Sequence, residues 1–238
     1  MTQRINPAPT LTLANGVEMP QLGLGTWPMN DAEAAVTVAA ALDMGYRLID
    51  TAENYENERG VGEGIRQSGV ARADLFVTTK FNRKWHSVDG ARAACEASLE
   101  RLGLDYIDLL LVHWPNPDQG RYVEAYQGLV RLLEAGLVKS IGTSNFKPAH
   151  LQKLFDLGLV PHLNQIQLDP YHLRDDLVDI GAVAAGETIG RRSDDEIIIF
   201  GIGGMPVEDV AWGTQIYRNA LARGIGTTLN LWQSPAMS

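Results

Sequence analysis

Short apolar runs recur along the chain at Leu22–Leu24, Arg47–Asp50, Leu75–Thr79, Ile107–Val112, Val138–Gly142 and Leu163–Gln167. Between them lie longer stretches with helical apolar spacing: Asp31–Met44, Asn57–Ser68, Val88–Leu102, Tyr122–Ala135 and Pro148–Leu157. The short runs are continuous rather than alternating, the pattern of parallel strands buried on both faces. The longer ones carry an apolar stripe at helical period. Gly45, Gly69, Gly103, Gly136 and Gly158 each closely follow a predicted helix, and glycine best tolerates the left-handed residue that stops one. Asp31 and Ser87 are placed to cap two helix starts. Ahead of all this, Leu11–Ala14 and Val17–Met19 flank Asn15-Gly16, which predicts a hairpin with a tight primed turn.

Repeated βα units admit two architectures, a closed (β/α) barrel or an open doubly wound sheet. The polar residues favour the barrel. Asp50, Lys80, His113, Ser144-Asn145 and Gln165 stand at or just past the ends of five predicted strands. A barrel gathers those ends into one mouth, whereas an open sheet spreads them along an edge.

Composition narrows the classes. The 238 residues suit one α/β barrel or two modest domains, and 45% hydrophobic content is enough to bury a core. A formal net charge of −9 disfavours broad contact with nucleic acid or anionic membrane. No apolar run reaches membrane-spanning length. Met1–Pro9 is polar and carries no apolar signal segment, so a cytoplasmic protein is expected. Cys95 is the only cysteine. It lies in a predicted amphipathic helix, without a neighbouring His or a second Cys, and reads as a packing residue. No metal-ligand spacing stands out.

The strand ends carry the chemistry. A carboxylate ending an apolar strand, as Asp50 does, is costly unless paired. Lys80 ends another strand and is an available counter-ion. Taken singly, Asp50 could be a polar cap on a strand end and His113 a satisfied core histidine. Three ionisable groups at three strand ends point instead to a site. Tyr55 completes it. A phenol is a poor acid at neutral pH, and an ammonium nearby favours its ionised form and eases proton donation. Such a group protonates a carbonyl oxygen while hydride reaches the carbon. No side chain donates hydride, so a nicotinamide cofactor is implied.

The chain resembles the aldo-keto reductases over about residues 9–178. The resemblance is carried by Gly23-Leu-Gly-Thr-Trp27, Gly45-Tyr-Arg-Leu-Ile-Asp-Thr-Ala-Glu-Asn-Tyr55 with Asn57-Glu58, Thr79-Lys80, Leu109-Leu-Leu-Val-His-Trp-Pro115, Gly142-Thr-Ser-Asn-Phe146 and Asn164-Gln-Ile-Gln167. It implies a (β/α)8 barrel of TIM type, with Tyr55 as general acid and Asp50, Lys80 and His113 completing a tetrad. It further implies that Ser144, Asn145 and Gln165 hold a nicotinamide carboxamide, with Gly25, Thr26 and Asp50 also at the cofactor. Trp27, Trp85 and Trp114 would wall the substrate pocket; ordinary core packing is the plainer reading of each. The family has a His near Asp169, and Asp169-Pro170-Tyr171 departs modestly from that.

Beyond Val178 this pattern stops. Gly190-Arg-Arg-Ser-Asp-Asp-Glu-Ile-Ile-Ile-Phe200, Gly201-Ile-Gly-Gly-Met-Pro-Val-Glu-Asp209 and Gly224-Ile-Gly-Thr227, within about Gly186–Trp232, resemble the ornithine cyclodeaminase/mu-crystallin family, so the chain reads as a join of two families near residues 178–190. Residues 1–178 are expected to form the reductase-like barrel portion, and 179–238 an atypical segment packed as its last units. In that segment Asp175–Gly186 and Pro206–Arg223 read as helices, and Glu196–Phe200 and Thr227–Trp232 as strands. Closure of the barrel there is expected to be imperfect. Gly201-Ile-Gly-Gly-Met-Pro206 is either a plain strand-to-helix turn or an anion site, and Arg191-Arg192 either a solvated pair or a phosphate contact. No Lys or Arg follows the last predicted strand to meet a 2′-phosphate.

The expected function is NAD(P)H-dependent reduction of small aldehydes or ketones, with NADPH as cofactor and NADH as the alternative. The competing expectations are a catalytically impaired reductase-like protein and, third, a cyclodeaminase-like enzyme. The expected partner is a small carbonyl compound, with no nucleic acid and no membrane. Family resemblance implies a monomer; unpaired strand edges would invite self-association.

Overall fold

The computed structural model describes residues 9–167. It opens with an antiparallel hairpin, β1 (Thr10–Thr12) and β2 (Glu18–Pro20). Then β3 (Gly23–Gly25), α1 (Asp31–Asp43), β4 (Leu48–Asp50), α2 (Glu58–Ser68), β5 (Phe76–Phe81), α3 (Val88–Leu102), β6 (Ile107–Val112), α4 (Tyr122–Glu134), β7 (Val138–Ser144), α5 (Pro148–Phe155) and β8 (Asn164–Gln165) follow in strict alternation. The strands β3 to β8 form one parallel sheet in sequence order. That order never reverses, as it would at the switch point of a doubly wound sheet.

The sheet curves. Gln165 on β8 donates from Nε2 to Asp50 Oδ2 on β4 at 2.8 Å. Four strand spacings of about 4.8 Å would set these residues roughly 19 Å apart in a flat sheet, beyond the reach of the two side chains. The hydrogen bond therefore spans the inside of a bent sheet, as a barrel requires. The further strands and helices expected beyond Val178 lie outside the described residues.

β5 and β6 are buried at all six positions each, which explains their unbroken apolar runs. Against the sheet, Phe81, Ile107, Leu110, Cys95, Tyr126 and Leu129 form one core cluster, and Val38, Leu42, Ile49, Val61, Val77 and Leu102 a second. Cys95 is fully buried, and burial pushes its thiol up to about 12, so it packs rather than reacts. The α1 and α2 helices approach closely at Gly60, where a Cβ would lie 2.0 Å from the Asp31 carbonyl oxygen. All five helix-stopping glycines adopt positive φ, from 66° to 103°.

Two local expectations are corrected. The α1 cap is Asn30, which forms a reciprocal capping box with Glu33. Asp31 sits one residue inside, and its Oδ1 accepts from Gly60 N at 2.6 Å, so it was drawn away by the α1–α2 contact. Ser87 caps α3 as expected, accepting from Gly90 N at 2.9 Å. At the hairpin, Leu13 N donates to Val17 O and Gly16 N to Leu13 O, both at 2.8 Å, and only Gly16 of the pair has positive φ. The connection is thus a three-residue loop with glycine in the left-handed position, not a two-residue primed turn. Asn15 is spent elsewhere: its Nδ2 donates to Lys139 O at 3.0 Å and Ser140 Oγ at 3.2 Å, fastening the hairpin to β7.

Candidate active site

The C-terminal ends of the parallel strands converge on one polar cluster. β5 runs two residues further than its apolar pattern suggests, and Lys80 sits inside it, paired in register with Leu111 of β6. Its side chain is only 2% exposed. A buried ammonium needs partners, and Lys80 has two: it donates to Asp50 Oδ1, and to Thr51 O at 3.0 Å. The second Asp50 oxygen takes the Gln165 amide. One carboxylate thus ties β5 and β8 to the end of β4.

After Asp50 the chain makes a single turn at Glu53–Tyr55 and reverses through Glu56, a left-handed residue. This turn places the Tyr55 ring over the ammonium, with Lys80 Nζ 5.2 Å from its centroid. His113, just past β6, meets Tyr55 edge-on with ring centroids 5.8 Å apart. Burial first, then the Lys80 charge, push His113 down to about 3, with Glu53 acting in the opposite direction. Its imidazole is therefore neutral at physiological pH. Its Nδ1 is buried and has no hydrogen-bond partner among the described residues. The four expected tetrad residues are thus together.

Two expected pocket tryptophans flank them. Trp27 lies 5.4 Å from the Tyr55 ring, and Trp114 stacks on His113 at 6.2 Å. They are 65% and 45% exposed, so ordinary core packing does not describe either one. Trp85 makes no ring contact with Tyr55 or His113; it reaches the cluster through Glu53, which accepts its indole N–H.

The residues expected at a cofactor divide. Ser144 ends β7, and Asn145 follows in the left-handed region with φ 62°. Asn145 Nδ2 donates to Ser144 Oγ at 3.2 Å and to His113 O at 3.3 Å, while Asn145 N donates to Gln165 O at 2.7 Å. These three residues form one patch beside Asp50. At Gly25 an added Cβ would meet nothing within 4 Å, which leaves open space at the mouth. Thr26 is fully buried, and its hydroxyl points to Asp50 O at 3.2 Å and Asn57 Oδ1 at 3.4 Å. That hydroxyl braces the scaffold.

The residues that brace the site carry no role that can be read from the sequence alone. Asn57 is fully buried and donates to Thr26 O at 2.9 Å and Met29 O at 2.8 Å, while accepting from Thr51 Oγ1 at 2.9 Å. It ties the Trp27 loop to the Asp50 strand. Glu58 accepts from Thr79 Oγ1 and from Arg101 Nε, both at 2.6 Å. Both residues stand just after Tyr55, in the motif already singled out, and that position was the available signal. Among the described residues no group of three or more metal-capable side chains occurs, and no helix is long and apolar enough to cross a membrane.

Residues 19–180 match the sequence model of the Aldo/keto reductase family. The chain belongs to this family. A second match, to the ornithine cyclodeaminase/mu-crystallin family, covers residues 162–224, beginning earlier than the resemblance read from the sequence and overlapping the end of the reductase match. The methylglyoxal reductase DkgA of Yersinia pestis is 49% identical over 164 residues, covering 68% of this chain and 58% of that protein. The chain spans about three fifths of the length of the curated aldo-keto reductases it matches. Among solved structures, an aldo/keto reductase of Brucella melitensis aligns with TM-score 0.68 at 43% identity, covering 76% of this chain and 69% of that one. A Bombyx mori aldo-keto reductase in complex with NADP aligns with TM-score 0.69 at 30% identity, covering 92% and 82%. The curved parallel sheet of β3 to β8 is thus part of a TIM-type barrel fold.

Proposed function

We propose that this protein reduces small aldehydes and ketones to alcohols with NADPH, acting on soluble substrates in the cytoplasm. The observation that carries the reading is the Lys80 ammonium, buried, paired with Asp50, and set 5.2 Å from the Tyr55 ring centroid. In this reading Tyr55 gives its hydroxyl proton to the carbonyl oxygen. The Lys80 charge stabilises the phenolate left behind, and the Asp50 carboxylate with Thr51 O holds that charge in place. The neutral His113 directs a ring N–H to the same oxygen and orients it. Trp27 and Trp114 hold the substituent on the carbonyl and keep water from it.

The residues present fit a nicotinamide. A carboxamide carries one carbonyl and one NH2 group, and the patch of Ser144 hydroxyl, Asn145 amide and Gln165 amide offers both donors and acceptors. Gln165 spends its Nε2 on Asp50, which leaves its Oε1 to accept. Gly25, the partner of Asp50 in register, leaves open space at its own position. When bound, the cofactor supplies hydride to the carbonyl carbon. The Bombyx mori relative is described with NADP, which supports NADPH; NADH is the alternative. The name of the Yersinia pestis relative supports short dicarbonyls as the first substrates to try. Every residue in this reading lies within 1–178, the portion proposed as the reductase barrel.

The test is NADPH oxidation by purified protein over a panel of aldehydes and short dicarbonyls, beside Tyr55→Phe. The variant should lose at least about a hundredfold in kcat, the lower range for loss of a general acid, and keep its cofactor affinity within about twofold. No turnover from folded wild-type protein on any panel member refutes the proposal. Cofactor binding lost together with turnover refutes the role given to Tyr55.

A further inference from the structure

Glu53 stands in the turn between Asp50 and Tyr55, and no step of the proton transfer uses it. Its side chain is only 10% exposed. Both carboxylate oxygens face the loop that follows β5. The Trp85 indole N–H donates to Oε1 at 2.9 Å and to Oε2 at 3.0 Å. The Asn82 backbone N–H donates to Oε2 at 3.2 Å, and the Lys84 ammonium lies 2.5 Å from Oε1. Lys84 also sits 5.1 Å from the Trp85 ring centroid. Burial pushes the Glu53 carboxyl up, but Lys84, Trp85 and Asn82 together outweigh it and hold it below the usual carboxylate range. Glu53 is therefore an anion at neutral pH.

An indole has one polar hydrogen and no acceptor, so its N–H largely decides which way the ring faces. An ionised acceptor makes that hydrogen bond roughly twice as strong as a neutral one. Trp85 has only two side-chain torsions to fix, and fastening its N–H to Glu53 restricts both. Because Tyr55 lies two residues beyond Glu53 in the same turn, the indole and the phenol are referenced to one rigid base. The loop that carries Trp85 and the turn that carries Tyr55 are thus joined through one carboxylate.

We propose that Glu53 is a positioning residue that fixes the Trp85 indole at the rim of the Tyr55 site and thereby sets the size of carbonyl substituent the site takes. This rests on the reductase reading above. On this proposal a three-carbon aldehyde is too short to meet the Trp85 indole, whereas an aromatic aldehyde extends to it.

Two measurements test this. In 15N-labelled protein, the Trp85 indole N–H signal, assigned by its loss in Trp85→Phe, should be slow to exchange with solvent. Glu53→Ala should shift it and speed its exchange, and Glu53→Gln, which keeps an acceptor, should restore most of the protection. In kinetics, Glu53→Ala should raise KM for an aromatic aldehyde about tenfold relative to KM for a three-carbon aldehyde, the factor expected from losing one charge-assisted hydrogen bond. The effect on kcat should be smaller. In a Trp85→Phe background the same substitution should change that ratio by less than about twofold, because the two residues act as one unit. An unmoved indole signal in Glu53→Ala, or kinetic losses that simply add, overturns the proposal. Wild-type protein without turnover refutes the reductase reading and the substrate-size clause with it, and the indole signal then decides the positioning clause alone.

Discussion

Lys80→Met separates what the buried ion pair does for the fold from what it does for the chemistry. Methionine keeps much of the stem's volume and removes the ammonium. Asp50 Oδ1 then loses its donor, Thr51 O loses a second, and the carboxylate is left with Gln165 alone. Removing one partner of a buried pair costs about 3–5 kcal/mol. The Asp50 side chain is 19% exposed, so water reaches it and the lower figure, about 3 kcal/mol, applies. For a chain of this length that lowers Tm by roughly 6–12 °C. Adding Asp50→Asn removes the stranded charge, and the amide oxygen can still accept from Gln165. The double variant should therefore recover at least half of the loss in thermal unfolding, although neither variant should oxidise NADPH with any aldehyde. A single variant as stable as wild type, or a double variant that loses the full sum of the two singles, would refute the account of this pair.

Three further expectations concern stability. Asn57→Ala strands the Thr26 and Met29 carbonyl oxygens and the Thr51 hydroxyl, and should cost roughly 2–4 kcal/mol in urea unfolding. Gly60→Ala would set a methyl carbon 2.0 Å from the Asp31 carbonyl oxygen; the α1 and α2 helices must separate, at about 1–3 kcal/mol, read as a lower Tm. Burial, then the Arg121 charge, push His86 down to about 4, and His113 sits at about 3. Unfolded histidine titrates near ~6.5, so below that pH the unfolded chain takes up protons that the folded chain refuses. Stability should be level above pH about 6.5 and fall as pH drops towards 4 and then 3. Urea midpoints across that range check the sign, and His86→Phe, which removes one of the rings whose protonation burial opposes, should make the decline shallower.

The strands and helices were legible because continuous apolar runs and helical spacing are imposed by burial, and burial is what the parallel sheet does to β5 and β6. The polar cluster was legible for the opposite reason: Asp50, Lys80 and His113 are polar where a strand end should be apolar. What escaped was set by contacts distant in sequence. Asp31 looked like a cap because only the neighbouring helix, through Gly60 N, shows that its carboxylate is engaged elsewhere. Asn15-Gly16 looked like a two-residue turn because Lys139 and Ser140, which take the Asn15 side chain, lie 124 and 125 positions away. The place of Thr26 in its motif does not say which way its hydroxyl turns. Glu53, Asn57 and Glu58 were visible as motif letters, and their partners were not.

The hydrogen bond from Gln165 to Asp50 has a consequence for the newly made chain. A ribosome delivers Asp50, Tyr55, Lys80 and His113 long before Gln165, which follows Asp50 by 115 positions. During that interval the ammonium can already find the carboxylate, but one carboxylate oxygen still lacks its native amide partner. Completion of the cluster is thus timed to the arrival of β8, and a nascent chain that stalls earlier holds the proposed proton-transfer residues without the Gln165 contact.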